Sequence, residues 1–107
     1  MITVHIRYTG KDGAAQRFAE EMTAGGTVAA IRAEAGNLRY EYYQPLEDPE
    51  AILLIDSWTD QAAIDVHHAS PMMATIAALR EKYDLHMTVE RYVSTEESGA
   101  DERYIRK

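Results

Sequence analysis

A-I-L-L-I-D-S-W, residues 51–58, decides how the rest of the chain is read. Ile52, Leu53, Leu54 and Ile55 are apolar in succession, so both faces of a strand here would be apolar. The run is too short for a helix, and P-L-E-D-P-E (45–50) and Thr59-Asp60 bound it with turn and cap residues. A strand of this kind belongs near the centre of a sheet that is covered on both sides. Its neighbours are found by working outward. Ile2, Val4, Ile6 and Tyr8 alternate with Thr3, His5 and Arg7, the two-residue period of a half-buried strand. Asn37 to Gln44 is aromatic-rich and predicts a second strand, and 45–50 is then a hairpin loop with two prolines. Leu85 to Val93 alternates again and predicts the fourth strand.

Between the strands the period changes. Ala15, Phe18, Ala19, Met22, Val28 and Ile31 recur at helical spacing, with Gly25-Gly26 expected to break the run. Thr59 or Asp60 caps a short helix through Ala69. Ser70-Pro71 restarts a second one, with proline at its permitted first position, and Met72, Met73, Ile76, Ala77 and Leu79 form its apolar face. The order is β-α-β-β-α-β, which predicts an α+β, ferredoxin-like fold with an antiparallel sheet and helices on one face. The helices cover one side of the 51–58 strand. The sheet of a second subunit is the simplest cover for the other, so a two-fold homodimer is expected.

With 107 residues the chain is expected to hold one domain, over 1–93, followed by a polar tail over 94–107 whose Tyr104 and Ile105 are candidates to cross to a partner. Eleven Lys and Arg against 18 Asp and Glu give a net charge of −7, with no basic run, which argues against nucleic acid and anionic membrane surfaces as partners. There is no cysteine, hence no thiol nucleophile and no disulfide framework. No apolar stretch approaches the roughly 20 residues of a membrane span. Met1 leads directly into the first strand without a basic and then apolar leader. The expectation is a cytoplasmic protein.

D-S-W-T-D-Q-A-A-I-D-V-H-H-A-S-P (56–71) carries the only tryptophan and two of four histidines. Adjacent histidines diverge by about 100° on a helix and cannot both face one metal. No third ligand stands at helical spacing, so no metal site is expected. Without a glycine-rich phosphate loop, no cofactor is expected either. From the residues alone, His67 reads first as a helix-end histidine at the C-terminal dipole and only second as a base. Trp58 reads as core packing, and Asn37 beside Gly36 as a turn residue.

E-A-G-N-L-R-Y-E (34–41), D-S-W-T-D-Q-A-A-I-D-V-H (56–67) and A-S-P (69–71) together resemble the antibiotic biosynthesis monooxygenase family. Gly36, Asn37, Leu38, Tyr40, Asp56, Trp58 and His67 stand at that family's spacings. Two features depart from it. Met72 occupies a position where many members have a second histidine. The first strand also lacks the asparagine of the haem-degrading members.

The resemblance implies a dimeric α+β barrel and a cofactor-independent monooxygenase that oxidises a small hydroxylated aromatic or quinol with dioxygen. His67 would then be the base and Asn37 a donor to a substrate oxygen. Trp58 and Tyr40 would wall the ring, and Met72, Met73 and Met22 would line an adjustable pocket. On a regular helix, His67 is expected to reach into that pocket and His68 to turn away. Two other functions fit the same family: an isomerase of a small phosphorylated signal molecule, with Arg7, Arg39 and Arg80 as phosphate contacts, and a non-catalytic small-ligand-binding dimer.

Overall fold

The computed structural model describes residues 1–96 and 99–107. Its elements run β1 (Ile2–Thr9), α1 (Ala14–Ala24), α2 (Thr27–Arg32), β2 (Asn37–Tyr43), β3 (Ala51–Trp58), α3 (Gln61–His68), α4 (Met72–Lys82) and β4 (His86–Val93). A 3₁₀ turn, Glu102–Tyr104, follows. The four strands form one antiparallel sheet in the order β2-β3-β1-β4, the ferredoxin-like arrangement. The doubly apolar strand β3 and the strand β1 are central, and β2 and β4 are the edges.

Strand register determines which residues meet. Val4 stands opposite Asp56 on one side and Arg91 on the other, and Asp56 in turn faces Tyr40. The helix-facing side of the sheet therefore carries the cross-strand row Tyr40–Asp56–Val4–Arg91. The next row inward is Tyr42–Leu54–Ile6–Val89, and the one beyond it is Ile52–Tyr8–Met87. On the opposite side lie Leu53 and Ile55, both half-buried, with Thr3 Oγ1 within 2.9 Å of Ser57 Oγ.

The two helical layers differ in construction. The first is broken by Gly25-Gly26, with Gly26 at φ +83°, a left-handed turn that glycine adopts without steric cost. The break lets α2 turn back, so Phe18, Met22, Val28 and Ile31 are all buried against Tyr8, Tyr40 and Ile52. Tyr8 and Phe18 pack with ring centroids 4.9 Å apart, within the favourable range for tilted aromatic pairs.

In the second layer, Asp60 is the N-cap of α3, its Oδ1 accepting from Ala63 N at 2.9 Å. Pro71, at φ −61°, precedes α4. The α4 face is less complete than the sequence pattern suggests. Ile76 is buried, Met72, Met73 and Leu79 are half-buried, and Ala77 is exposed. Consequently β4 alternates correctly but is not covered, and Met87 and Val89 remain 41% and 49% exposed. The fourth strand begins at His86; the backbone of Asp84, at φ +47°, turns the chain just before it.

Gly36 joins the two layers. It has φ +85°, and a Cβ there would lie 2.6 Å from Ala63 Cβ and 2.8 Å from Thr59 Oγ1. Only glycine lets the start of β2 pass this close to α3. Beyond β4, Ser94 N bonds to Met1 O at 3.1 Å. Tyr104 is exposed, and so is Ile105.

Candidate active site

The incomplete cover over β4 leaves a cavity of about 270 Å³ between the sheet and the α3–α4 pair. Val4 and Ile6 of β1, Trp58 of β3, Met87 and Val89 of β4, Ile64 of α3 and Met73 of α4 give it apolar walls. Four further residues complete the lining: Asp56, His68, Arg80 and Arg91. Cavities of this kind, apolar with a few polar groups, are the usual form of small-molecule sites.

Asp56 is 7% exposed, and its Oδ1 is buried with no hydrogen-bond partner among the described residues. Removal from water penalises the carboxylate and pushes its pKa up to about 6. His67 and the Trp58 side chain pull in the opposite direction, and the Glu34 carboxylate adds to the rise. A carboxyl group that titrates near neutrality is suited to accept a proton.

His67 is 4% exposed. Its ring lies against Trp58, with centroids 4.9 Å apart and planes tilted by 32°. Its Nδ1 is 2.7 Å from Glu34 Oε1, a partner brought within reach by the tight passage at Gly36. His67 therefore stands behind Trp58, and exposed His68 is on the cavity wall. His67 is turned inward and His68 is exposed, but His68, rather than the expected His67, lines the cavity. His67 shares the inward face of α3 with Ile64, three residues earlier, and packs its ring on Trp58.

The other residues singled out from the sequence are dispersed. Trp58, 1% exposed, and half-buried Met73 line the cavity. Met72 is half-buried against the core, and Met22 is fully buried beneath α1. Tyr40 is buried on β2, in edge-on contact with Tyr42 at 5.8 Å, and burial raises its phenol pKa. Asn37 Nδ2 donates to the backbone oxygens of Arg39 at 3.3 Å and Ser57 at 3.4 Å, at the bulge where β2 joins β3. Arg7 pairs with Asp48 at 2.9 Å on the opposite face of the sheet. Arg80 donates to Tyr8 Oη from Nε at 3.1 Å and from Nη2 at 2.8 Å.

Asp56, Glu34 and Arg91 received no role from the sequence. Two of them were within reach of the alternation rule. Asp56 lies two residues from both Leu54 and Trp58, on the buried face, and Arg91 lies two residues from Val89. Glu34 meets His67 across 33 positions, and no local pattern signals that pairing. Among the described residues, no cluster of three His, Cys, Asp or Glu could hold a metal ion, and no helix is long and apolar enough to cross a membrane.

A ferredoxin-like sheet with an apolar cavity and a raised carboxyl group defines a small α+β protein with a cavity between its sheet and helices. Residues 1–79 match the family described as antibiotic biosynthesis monooxygenase, and the chain belongs to that family. A search of the curated proteins finds no match.

Solved structures share the fold closely. A candidate antibiotic biosynthesis monooxygenase from Deinococcus radiodurans is 19% identical, with a TM-score of 0.79 over 92% of this chain and 97% of its own. PA3566 from Pseudomonas aeruginosa is 26% identical, with a TM-score of 0.75 over 89% and 94%. A mutant of SnoaB, a cofactor-independent oxygenase from Streptomyces nogalater, is 17% identical, with a TM-score of 0.75 over 92% and 96%.

Proposed function

We propose that the protein is a cofactor-independent monooxygenase that oxidises a small hydroxylated aromatic, a quinol, with dioxygen. The observation that carries this reading is Asp56, a buried carboxyl group with its pKa near 6 in the wall of an apolar cavity. Family membership and the fold shared with SnoaB, itself a cofactor-independent oxygenase, support it.

Dioxygen is a triplet and reacts slowly with closed-shell molecules. A quinol that has lost a proton can transfer one electron to it, and the resulting radical pair can combine at a ring carbon. Asp56 accepts the phenolic proton. His68 stands where it can hydrogen-bond a substrate oxygen. Trp58, Met73 and Val89 hold the ring away from water. Loss of water from the hydroperoxide leaves one oxygen atom on the ring and releases the other as water, converting the diol to a hydroxyquinone. In this reading His67 and Glu34 act on Asp56 and Trp58 from behind rather than on the substrate.

The working form is proposed to be a homodimer joined through the outer face of the sheet, where Leu53 and Ile55 are only half-buried in the single subunit. Sedimentation at micromolar concentration is expected to give twice the mass of 12.1 kDa; a monomer would remove this part.

Oxygen uptake with a panel of hydroquinones tests the activity, with turnover expected in the wild type and a loss of at least ~100-fold in Asp56→Asn. No uptake with any of them would count against a monooxygenase. Proton exchange into a phosphorylated carbonyl compound without oxygen uptake would favour the isomerase, a reading that Arg80 and Arg91 on the cavity wall keep in play.

A further inference from the structure

Arg80 and Arg91 both line the cavity, and neither has a carboxylate partner among the described residues. Half-buried Arg80 is held by a neutral phenol, with two hydrogen bonds to Tyr8 Oη. Arg91 donates from Nη2 to the neutral Gln61 Oε1, and Gln61 Nε2 passes on to Asp65 at 2.9 Å. Arg80, partly withdrawn from water without a counter-charge, carries a cost that a bound anion would relieve. Arg91 is exposed, and its neutral partner leaves its charge available to a ligand.

The cross-strand row adds a distance. Asp56 and Arg91 flank Val4 on the same face of the sheet, so their backbones are two strand spacings apart, roughly 9–10 Å. Val4 between them is a flat apolar floor. One aromatic ring laid over Val4 would bring a ring hydroxyl toward Asp56 and a substituent farther round the ring toward Arg91. The whole chain carries −7, which disfavours anions at long range. At ordinary ionic strength that repulsion is screened within about 8–10 Å, and the cavity wall itself carries two guanidiniums against the single Asp56 carboxylate.

We infer that the substrate carries an oxyanion group, carboxylate or phosphate, which Arg91 and Arg80 bind while its ring lies over Val4. This rests on the proposed reading of the cavity for its ring, but not on the oxidation itself. A planar carboxylate fits a guanidinium with two parallel hydrogen bonds, so Arg91 sets specificity as well as affinity.

The test uses two isosteric hydroquinones that differ only in charge, 2,5-dihydroxybenzoate and 2,5-dihydroxybenzamide, with phenyl phosphate as a third ligand. Binding is measured by calorimetry without oxygen, and turnover separately by oxygen uptake. The benzoate is expected to bind at least ~10-fold more tightly than the amide, a difference of about 1.4 kcal/mol. Arg91→Gln should remove most of that preference, weakening the benzoate much more than the amide. Arg80→Lys, which keeps the charge and loses the fork, should weaken the benzoate less than Arg91→Gln does. If phenyl phosphate binds more tightly than the benzoate and shows the same dependence on Arg91, the oxyanion is a phosphate and the inference stands. Equal affinities for benzoate and amide, with no preference for phenyl phosphate, would overturn it. Anion-selective binding without oxygen uptake would leave the inference in place and remove the monooxygenase reading alone.

Discussion

The two halves of this molecule follow the same sequence rule and reach different ends. On the β2 side, the broken helix of α1 and α2 closes over Tyr8, Phe18, Met22, Ile31 and Tyr40 until each is almost wholly buried. On the β4 side, the α3–α4 pair buries only Ile64 and Ile76 among its large apolar residues, and Met72, Met73 and Leu79 stay half-buried. Met87 and Val89 alternate as correctly as Ile52 and Leu54, yet they stay half open above a cavity. The inward pattern therefore says which face a residue occupies. Whether that face is filled depends on what lies opposite. The filled half gives stability. The unfilled half holds the raised carboxyl group, which stability alone would not retain, and two guanidiniums held by neutral partners.

Phe18→Ala in the filled half should make the largest change, a loss of about 3–5 kcal/mol by denaturant unfolding. A loss below 1 kcal/mol would mean that the two halves are not packed differently.

Asp56→Asn should do the reverse in the open half. With its folded pKa raised from 3.8 to about 6, Asp56 holds its proton more tightly in the folded chain. It therefore costs the fold nothing below pH 3.8. The penalty grows as pH rises from 3.8 to about 6 and is complete above that. Asp56→Asn should accordingly be more stable than wild type by roughly 2–4 kcal/mol at pH 7.5, with the difference vanishing near pH 4. A variant less stable than wild type at pH 7.5 would contradict the burial argument.

Glu34→Gln should cost about 1–2 kcal/mol through its bond to His67. It should also shift the Asp56 titration down, because the Glu34 carboxylate raises it, whereas His67→Gln should shift it up. A carboxyl-resolved NMR titration reads both directions, and a shift of the same sign in both variants would break the assignment. Met87→Ala, on the uncovered strand, should stay within about 0.5–1 kcal/mol of wild type.

Much of this contrast could be read in the chain before the fold was known. Ile52 to Ile55 placed β3 at the centre, Gly25-Gly26 split the first helix, and Thr59-Asp60 marked the cap of the third, which the structure assigns to Asp60. The family-like spacing of Gly36, Trp58 and His67 pointed to the end of the sheet where Trp58 lines the cavity. The site itself was less legible. A helix wheel separates neighbours by about 100°, but it does not say which of His67 and His68 meets the cavity; that depended on Trp58 and Glu34, contributed by distant segments. Tyr40 and Met22 have the composition of pocket walls, but packing density decided their place and left them in the core. Asp56 was visible as an acid on an apolar face, a conflict between pattern and chemistry that local reading passed over.

The most direct measurement of the central claim is the pH dependence of kcat/KM for oxygen uptake by wild type and Asp56→Asn. If Asp56 is the base, activity should be low in acid, rise through an inflection near pH 6 and level off above it, and the variant should lose both the activity and the inflection. A wild-type profile flat from pH 5 to 8, or an Asp56→Asn variant that keeps the wild-type rate, would contradict the account.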